Sequence, residues 1–210
     1  MWSQDLVDKL AKYEFILGSS SPRRSEILNT NIGISNFTVL TSTFEENLSK
    51  DGIEDVDYVT RTAQHKIPSI IPQLDSNKDY ILLVADTIVS CGGKVFEKPT
   101  SPDNQWAMFS HYKNHPADIK VITAVHVCRV SDGKVVIHEY GHETTDLHFD
   151  ASISDQQLQY YVGTGEGLNV AGGFKYQEKG SMLFKGITGD FFNVVGLPVK
   201  RTYSLLAKIL

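Results

Sequence analysis

The chain has 210 residues, 41% of them hydrophobic and 21% charged, with a formal net charge of −5. That length and balance fit a single domain with a real core, while the excess of acids disfavours a broad nucleic-acid surface and no run of about 18 apolar residues marks a membrane span. Two cysteines, Cys91 and Cys128, make no disulfide framework and are expected to be reduced in an intracellular, cytoplasmic protein.

The chain opens with "MWSQDLVDKLAKYEF", which is amphipathic and carries acids. It lacks the apolar centre of a secretory signal and reads as a helical extension over residues 1–14. "YEFILG" is a short buried strand. A glycine and three serines follow it, then a proline and two arginines. Ser21 suits the cap of a helix and Pro22 its first turn. A helix start after small residues presents unpaired N–H groups to an anion. Ser19 and Ser21 would add hydroxyls there, and Arg23 and Arg24 would add forked, permanently charged donors suited to phosphate. The same residues also fit an ordinary capped helix with surface arginines.

Further on, "DVDYVTRTAQHKI" sets Val56, Val59, Ala63 and Ile67 on one helical face, ended or kinked by Pro68. In "LLVADTIV" an aspartate, Asp86, and a threonine, Thr87, interrupt β-forming residues. A carboxylate there is expensive unless paired, hydrogen-bonded or metal-bound, so Asp86 is a candidate general base or metal ligand. Gly92-Gly93 and Asp132-Gly133 predict two hairpin turns. "SPDNQWAMFSHY" predicts a helix with Trp106 and Phe109 on one face, and Ser154 to Gln157 form a capping box. A glycine-rich loop and a C-terminal amphipathic helix, "PVKRTYSLLAKIL", complete an alternating α/β pattern with no dividing linker. Glu46, Lys66 and Lys98 read individually as solvated surface residues, although the proline after Lys98 fixes the backbone there.

"HEYGH", from His138 to His142, matches the H-E-x-x-H zinc signature. That signature works on a helix, and β-branched neighbours and Gly141 predict a strand here. On a strand the two histidines lie about 13 Å apart at ~3.3 Å per residue, too far for one ion. A zinc peptidase is therefore disfavoured, and would require bound zinc and sensitivity to substitution of His138.

"SSSPRR", "ADTIV", "EKP", "TAV", "AGGFKYQ" and "GDFFNVVGLPV" occur together in the order of the Maf family of nucleoside triphosphate pyrophosphatases, which the chain resembles from Phe15 onward. The resemblance implies one Maf-like domain over residues 1–210. It implies a mixed α/β fold with a curved sheet flanked by helices and two lobes about a cleft, similar to inosine-triphosphate pyrophosphatases. It implies hydrolysis of a nucleoside triphosphate to monophosphate and pyrophosphate with Mg²⁺, Mn²⁺ or Co²⁺, and a homodimer. By position it makes Asp86 the proton acceptor and, with Glu46, the metal-binding pair. Lys66 and Lys98 fall on its catalytic lysines, and Ser19 and Arg24 on its phosphate loop. Arg23, Thr87 and Gln177 match the branch acting on dTTP and UTP rather than the branch acting on 7-methylguanosine triphosphate. An arginine would repel the methylated guanine cation, and a glutamine amide can meet the donor and acceptor edge of uracil. The family's association with arrest of cell division leaves a catalytically weak nucleotide-binding regulator as one alternative, and a 7-methylguanosine triphosphate pyrophosphatase is the other.

Overall fold

The computed structural model describes residues 2–45 and 48–210. In chain order the helices are α1 (Gln4–Leu10), α2 (Pro22–Ile27), α3 (Asp55–His65), α4 (Ile67–Ile70), α5 (Pro102–Asn114), α6 (Asp155–Gly163), α7 (Phe191–Val195) and α8 (Val199–Ile209). The strands are β1 (Glu14–Leu17), β2 (Thr38–Val39), β3 (Tyr80–Cys91), β4 (Lys94–Phe96), β5 (Ile119–Ser131), β6 (Lys134–Phe149) and β7 (Phe184–Thr188). They form a mixed sheet in the order β2-β1-β3-β5-β6-β7, with β4 pairing onto β3. β1 runs parallel to β2 and β3, whereas β3–β4 and β6–β7 are antiparallel. The fold is thus mixed α/β, as expected from the alternation of strand and helix signals.

The contacts divide the chain into two compact units. One holds Met1–Asp86, Ala124–His142 and Gly196–Leu210; the other holds Thr87–Thr123 and Glu143–Val195. No linker joins them, because β3, β5 and β6 each continue from one into the other.

In the first unit, Ile16, Ile67, Ile70, Leu82, Val84 and Cys128 form a core cluster. β3 is buried along its whole length except at Thr87, which is why its sequence is a continuous apolar run rather than an alternation. α3 stops at His65 because Pro68 has no N–H to give the carbonyl four residues back, and α4 restarts at Ile67. Asp132 and Gly133 turn the β5–β6 hairpin with positive φ at both positions, the signature of the tight turns whose twist suits a hairpin.

The second unit packs Phe109, Tyr112, Phe149, Tyr161, Phe174 and Phe184 with the aliphatic residues of β5 and β6. Ser101 caps α5 through the Asn104 amide, and the Ser154–Gln157 capping box is complete. The glycine-rich loop is held tightly: a Cβ on Gly167 would collide with the Gly173 carbonyl, and Gln105 Nε2 donates to the carbonyls of both Glu166 and Gly173 at 2.6 Å. Both cysteines are buried and unbridged, and burial pushes the Cys128 thiol up to about 12.

The "HEYGH" histidines lie on β6, as their neighbours predict. His138 instead meets His126 of β5, Nε2 to Nδ1 at 2.8 Å, and His126 Nε2 lies 3.0 Å from the Thr60 carbonyl. That carbonyl can only accept, so His126 is a neutral Nε2–H tautomer whose Nδ1 accepts from His138. Burial, then the nearby His138, pushes the His126 pKa from 6.5 down to about 4. The unfolded chain therefore takes up this proton first as the pH falls. Stability is fully present above pH 6.5 and is lost toward pH 4, by roughly 3 kcal/mol for this group. Urea unfolding at stepped pH should show that decline, and His126→Gln should flatten it. An unchanged slope in the variant would mean that other groups carry the acid sensitivity.

Candidate active site

The first unit gathers four polar side chains beneath the end of β1. Ser19, Arg24, Lys66 and Asp86 are 8%, 9%, 7% and 8% exposed. Lys66 Nζ lies 2.8 Å from Asp86 Oδ1 and donates to the Ala85 carbonyl at 3.1 Å. Arg24 Nη1 donates to the same carbonyl at 2.9 Å and to Ser19 Oγ at 3.0 Å, while its Nε donates to the Gly196 carbonyl at 2.9 Å. Two cations thus converge on one peptide carbonyl beside one carboxylate. Burying charge is costly, and replacing such a pair by apolar residues is often neutral or stabilising. Buried cations of this kind are what an anion-binding site uses.

Local sequence explains each placement. Gly18 lets the chain leave β1 closely packed, since a Cβ there would press on Ile70 and Val84. Pro22 starts α2 directly after the serines, and Arg24, inside its first turn, points inward while Arg23 is half-buried. Ser21 occupies the cap position but does not cap through its side chain; its amide donates to Ser19 Oγ at 3.3 Å instead. Lys66 stands at the break that Pro68 makes between α3 and α4. Its expected place on the surface is corrected: the break turns it inward, where Asp86 compensates its charge.

The second unit holds Thr87, Lys98 and Gln177. Thr87 Oγ1 lies 2.9 Å from Thr123 Oγ1. Lys98 is exposed and lines a pocket of about 340 Å³ with Lys94, Phe96, Met108 and His111. Gln177 is exposed in the turn after the glycine-rich loop. Glu46 lies outside the described residues. Among the described residues, no group of three His, Cys, Asp or Glu side chains is placed to hold a metal ion, and no helix is long and apolar enough to cross a membrane.

Sequence reasoning missed several residues that build these regions. Glu166 is buried in the glycine-rich loop, where Oε1 accepts from Tyr161 Oη at 3.0 Å and the Gly180 amide at 2.9 Å. An acid among glycines was the only signal. Gln105 and Asn193, fully buried, look in sequence like ordinary helical polar residues.

The Maf-like protein family model matches residues 14–209. The chain belongs to this family. It is 37% identical to a dTTP/UTP pyrophosphatase of Saccharomyces cerevisiae over 217 aligned positions, 92% of this chain and 89% of that protein. It is 36% identical to a dTTP/UTP pyrophosphatase of Schizosaccharomyces pombe, over 96% of this chain and 86% of that one. Among solved structures, a HAM1 protein from Coxiella burnetii is similar at 12% identity with a TM-score of 0.47, covering 93% of this chain and 99% of that one.

Lys66→Met should lower the urea midpoint, because it removes the ammonium that pairs with a buried carboxylate at 2.8 Å. Adding Asp86→Asn should recover most of that loss, while Lys98→Ala, at an exposed position, should leave the midpoint unchanged. Additive losses in the double variant would show that the pair is not coupled.

Proposed function

We propose that this Maf-like protein is a nucleoside triphosphate pyrophosphatase that cleaves dTTP and UTP to the monophosphate and pyrophosphate. The observation that carries the reading is the convergence of Arg24 and Lys66 on the Ala85 carbonyl and the Asp86 carboxylate. The names of the yeast relatives support the nucleotide class. Phosphoryl cleavage asks mainly for charge neutralisation and alignment. Arg24 and Lys66 supply fixed positive charge, and Ser19, held by Arg24, lies beside it. Asp86 is the acid nearest these cations among the described residues and acts as the general base that takes a proton from the attacking water. Lys66, at 2.8 Å from Asp86 Oδ1, orients that carboxylate for the step. Lys98 contributes a further cation to the polyphosphate. Arg23, Thr87 and Gln177 contact the nucleoside, with Arg23 excluding a methylated guanine.

A carboxylate is the hard oxygen donor that Mg²⁺ or Mn²⁺ prefers, and such ions take one or two carboxylates and fill the shell with phosphate oxygens and water. Asp86 fits this donor chemistry, and with Glu46 it would hold the ion. When bound, the ion would neutralise charge on the phosphates.

Release of pyrophosphate from a panel of triphosphates tests the reading. Turnover of dTTP and UTP should exceed that of 7-methylguanosine triphosphate. Asp86→Asn should lower kcat about 10² to 10⁴-fold, the usual worth of a general base, and EDTA should abolish activity that Mg²⁺ restores. Nucleotide binding without pyrophosphate release would support the regulator instead. A preference for the methylated guanine nucleotide would overturn the branch assignment.

A further inference from the structure

The glycine-rich loop carries one acid, Glu166, and buries it. A buried carboxyl group costs stability unless hydrogen bonds satisfy it. One oxygen, Oε1, takes two of them: from Tyr161 Oη at 3.0 Å and from the Gly180 amide at 2.9 Å. Tyr161 Oη in turn accepts from the Lys175 amide at 3.2 Å. That bond uses a lone pair and leaves the phenol proton for Glu166. Burial pushes the Tyr161 pKa well above its ordinary value, so the proton stays in place.

Both ends of the segment from Lys175 to Gly180 are thus tied to the same oxygen, one directly and one through the phenol. The ends also lie against each other, since a Cβ on Gly180 would meet the Lys175 carbonyl oxygen at 2.6 Å and Tyr161 Oη at 2.9 Å. Between them the Glu178 amide donates to the Lys175 carbonyl at 3.1 Å, which closes a turn with Gln177, exposed, at its third position. The preceding side chain, Tyr176, packs its ring 5.7 Å from that of Phe184. The anchors are themselves fixed. Tyr161 lies buried on α6 with its ring 5.6 Å from that of Phe109, and the Glu166 carbonyl takes Gln105 Nε2 at 2.6 Å. A surface turn can satisfy its amides with water. This one is held from the interior, as a side chain that must be presented in one place requires.

We infer that Glu166 and Tyr161 are positioning residues for nucleoside selection, which hold the Lys175–Gly180 turn so that the Gln177 amide meets a uracil or thymine base already in place. The inference rests on the proposed contact between Gln177 and the nucleoside. Holding the turn removes the ordering that binding would otherwise demand of it. The two residues act through Gln177 and not on the reacting phosphates, so their loss raises KM and leaves kcat little changed.

The test is a double-mutant cycle on dTTP hydrolysis. It measures kcat, KM and Tm for the wild-type protein, Tyr161→Phe, Glu166→Ala and Glu166→Gln, each with and without Gln177→Ala. Tyr161→Phe keeps the ring in the core and removes only the hydroxyl. In the wild-type background Gln177→Ala should raise KM about tenfold, the worth of one neutral hydrogen bond, with kcat changed by about twofold or less. Tyr161→Phe and Glu166→Ala should each raise KM, and adding Gln177→Ala to either should then cost only about twofold more. Glu166→Gln keeps an oxygen that can accept both bonds and should retain most of the Gln177 effect. If Glu166→Ala does not fold, Tyr161→Phe carries the comparison. A merely structural pair would lower Tm while Gln177→Ala still cost about tenfold in the Tyr161→Phe background, and that result overturns the inference. An active wild type indifferent to Gln177→Ala also overturns the inference alone. A wild type that releases pyrophosphate from no triphosphate overturns the function and the inference together.

Discussion

The Ala85 carbonyl organises the candidate site. It receives hydrogen bonds from both Arg24 and Lys66, side chains far apart in sequence, and so ties the chain after β1 and the break after α3 to the middle of β3. A single carbonyl cannot neutralise two cations. Asp86, one residue on, takes Lys66 at 2.8 Å. Such an arrangement costs stability by comparison with an apolar core of the same volume. A polyanionic ligand that binds only the folded chain would offset the cost by mass action.

The fold and the site follow from the same features. β3 can be buried on both faces because its residues are apolar from Tyr80 to Cys91 except for Asp86, Thr87 and Ser90. Asp86 belongs to a charged cluster and Thr87 to a neutral relay of hydroxyl groups.

Much of this was legible in the sequence because the relevant signals are local. Asp86 stands out inside an apolar run, Asp132-Gly133 announces a hairpin, and β-branched neighbours unmask "HEYGH" as strand. The inward turn of Lys66 was not legible, although Pro68 gave its cause, because helical periodicity says which face is buried but not what a helix end meets. Ser21 looked like a cap and is not one, since Ser19 takes its amide. The two-residue strand β2 is too short to leave a pattern. Thr123, Asn193 and Gln105 matter through partners tens of residues away, and no spacing rule reaches that far. His126 and His138 likewise form a pair that only strand register creates.

The most direct test is a crystal structure of the wild-type protein with α,β-imido-dUTP, which cannot be cleaved between those phosphates. Phosphate oxygens should lie within about 3 Å of Lys66 Nζ and the Arg24 guanidinium, with Asp86 placed to reach the α-phosphorus through one water. A triphosphate bound elsewhere, with Arg24, Lys66 and Asp86 making no approach to it, would contradict the assignment of this cluster as the reaction centre.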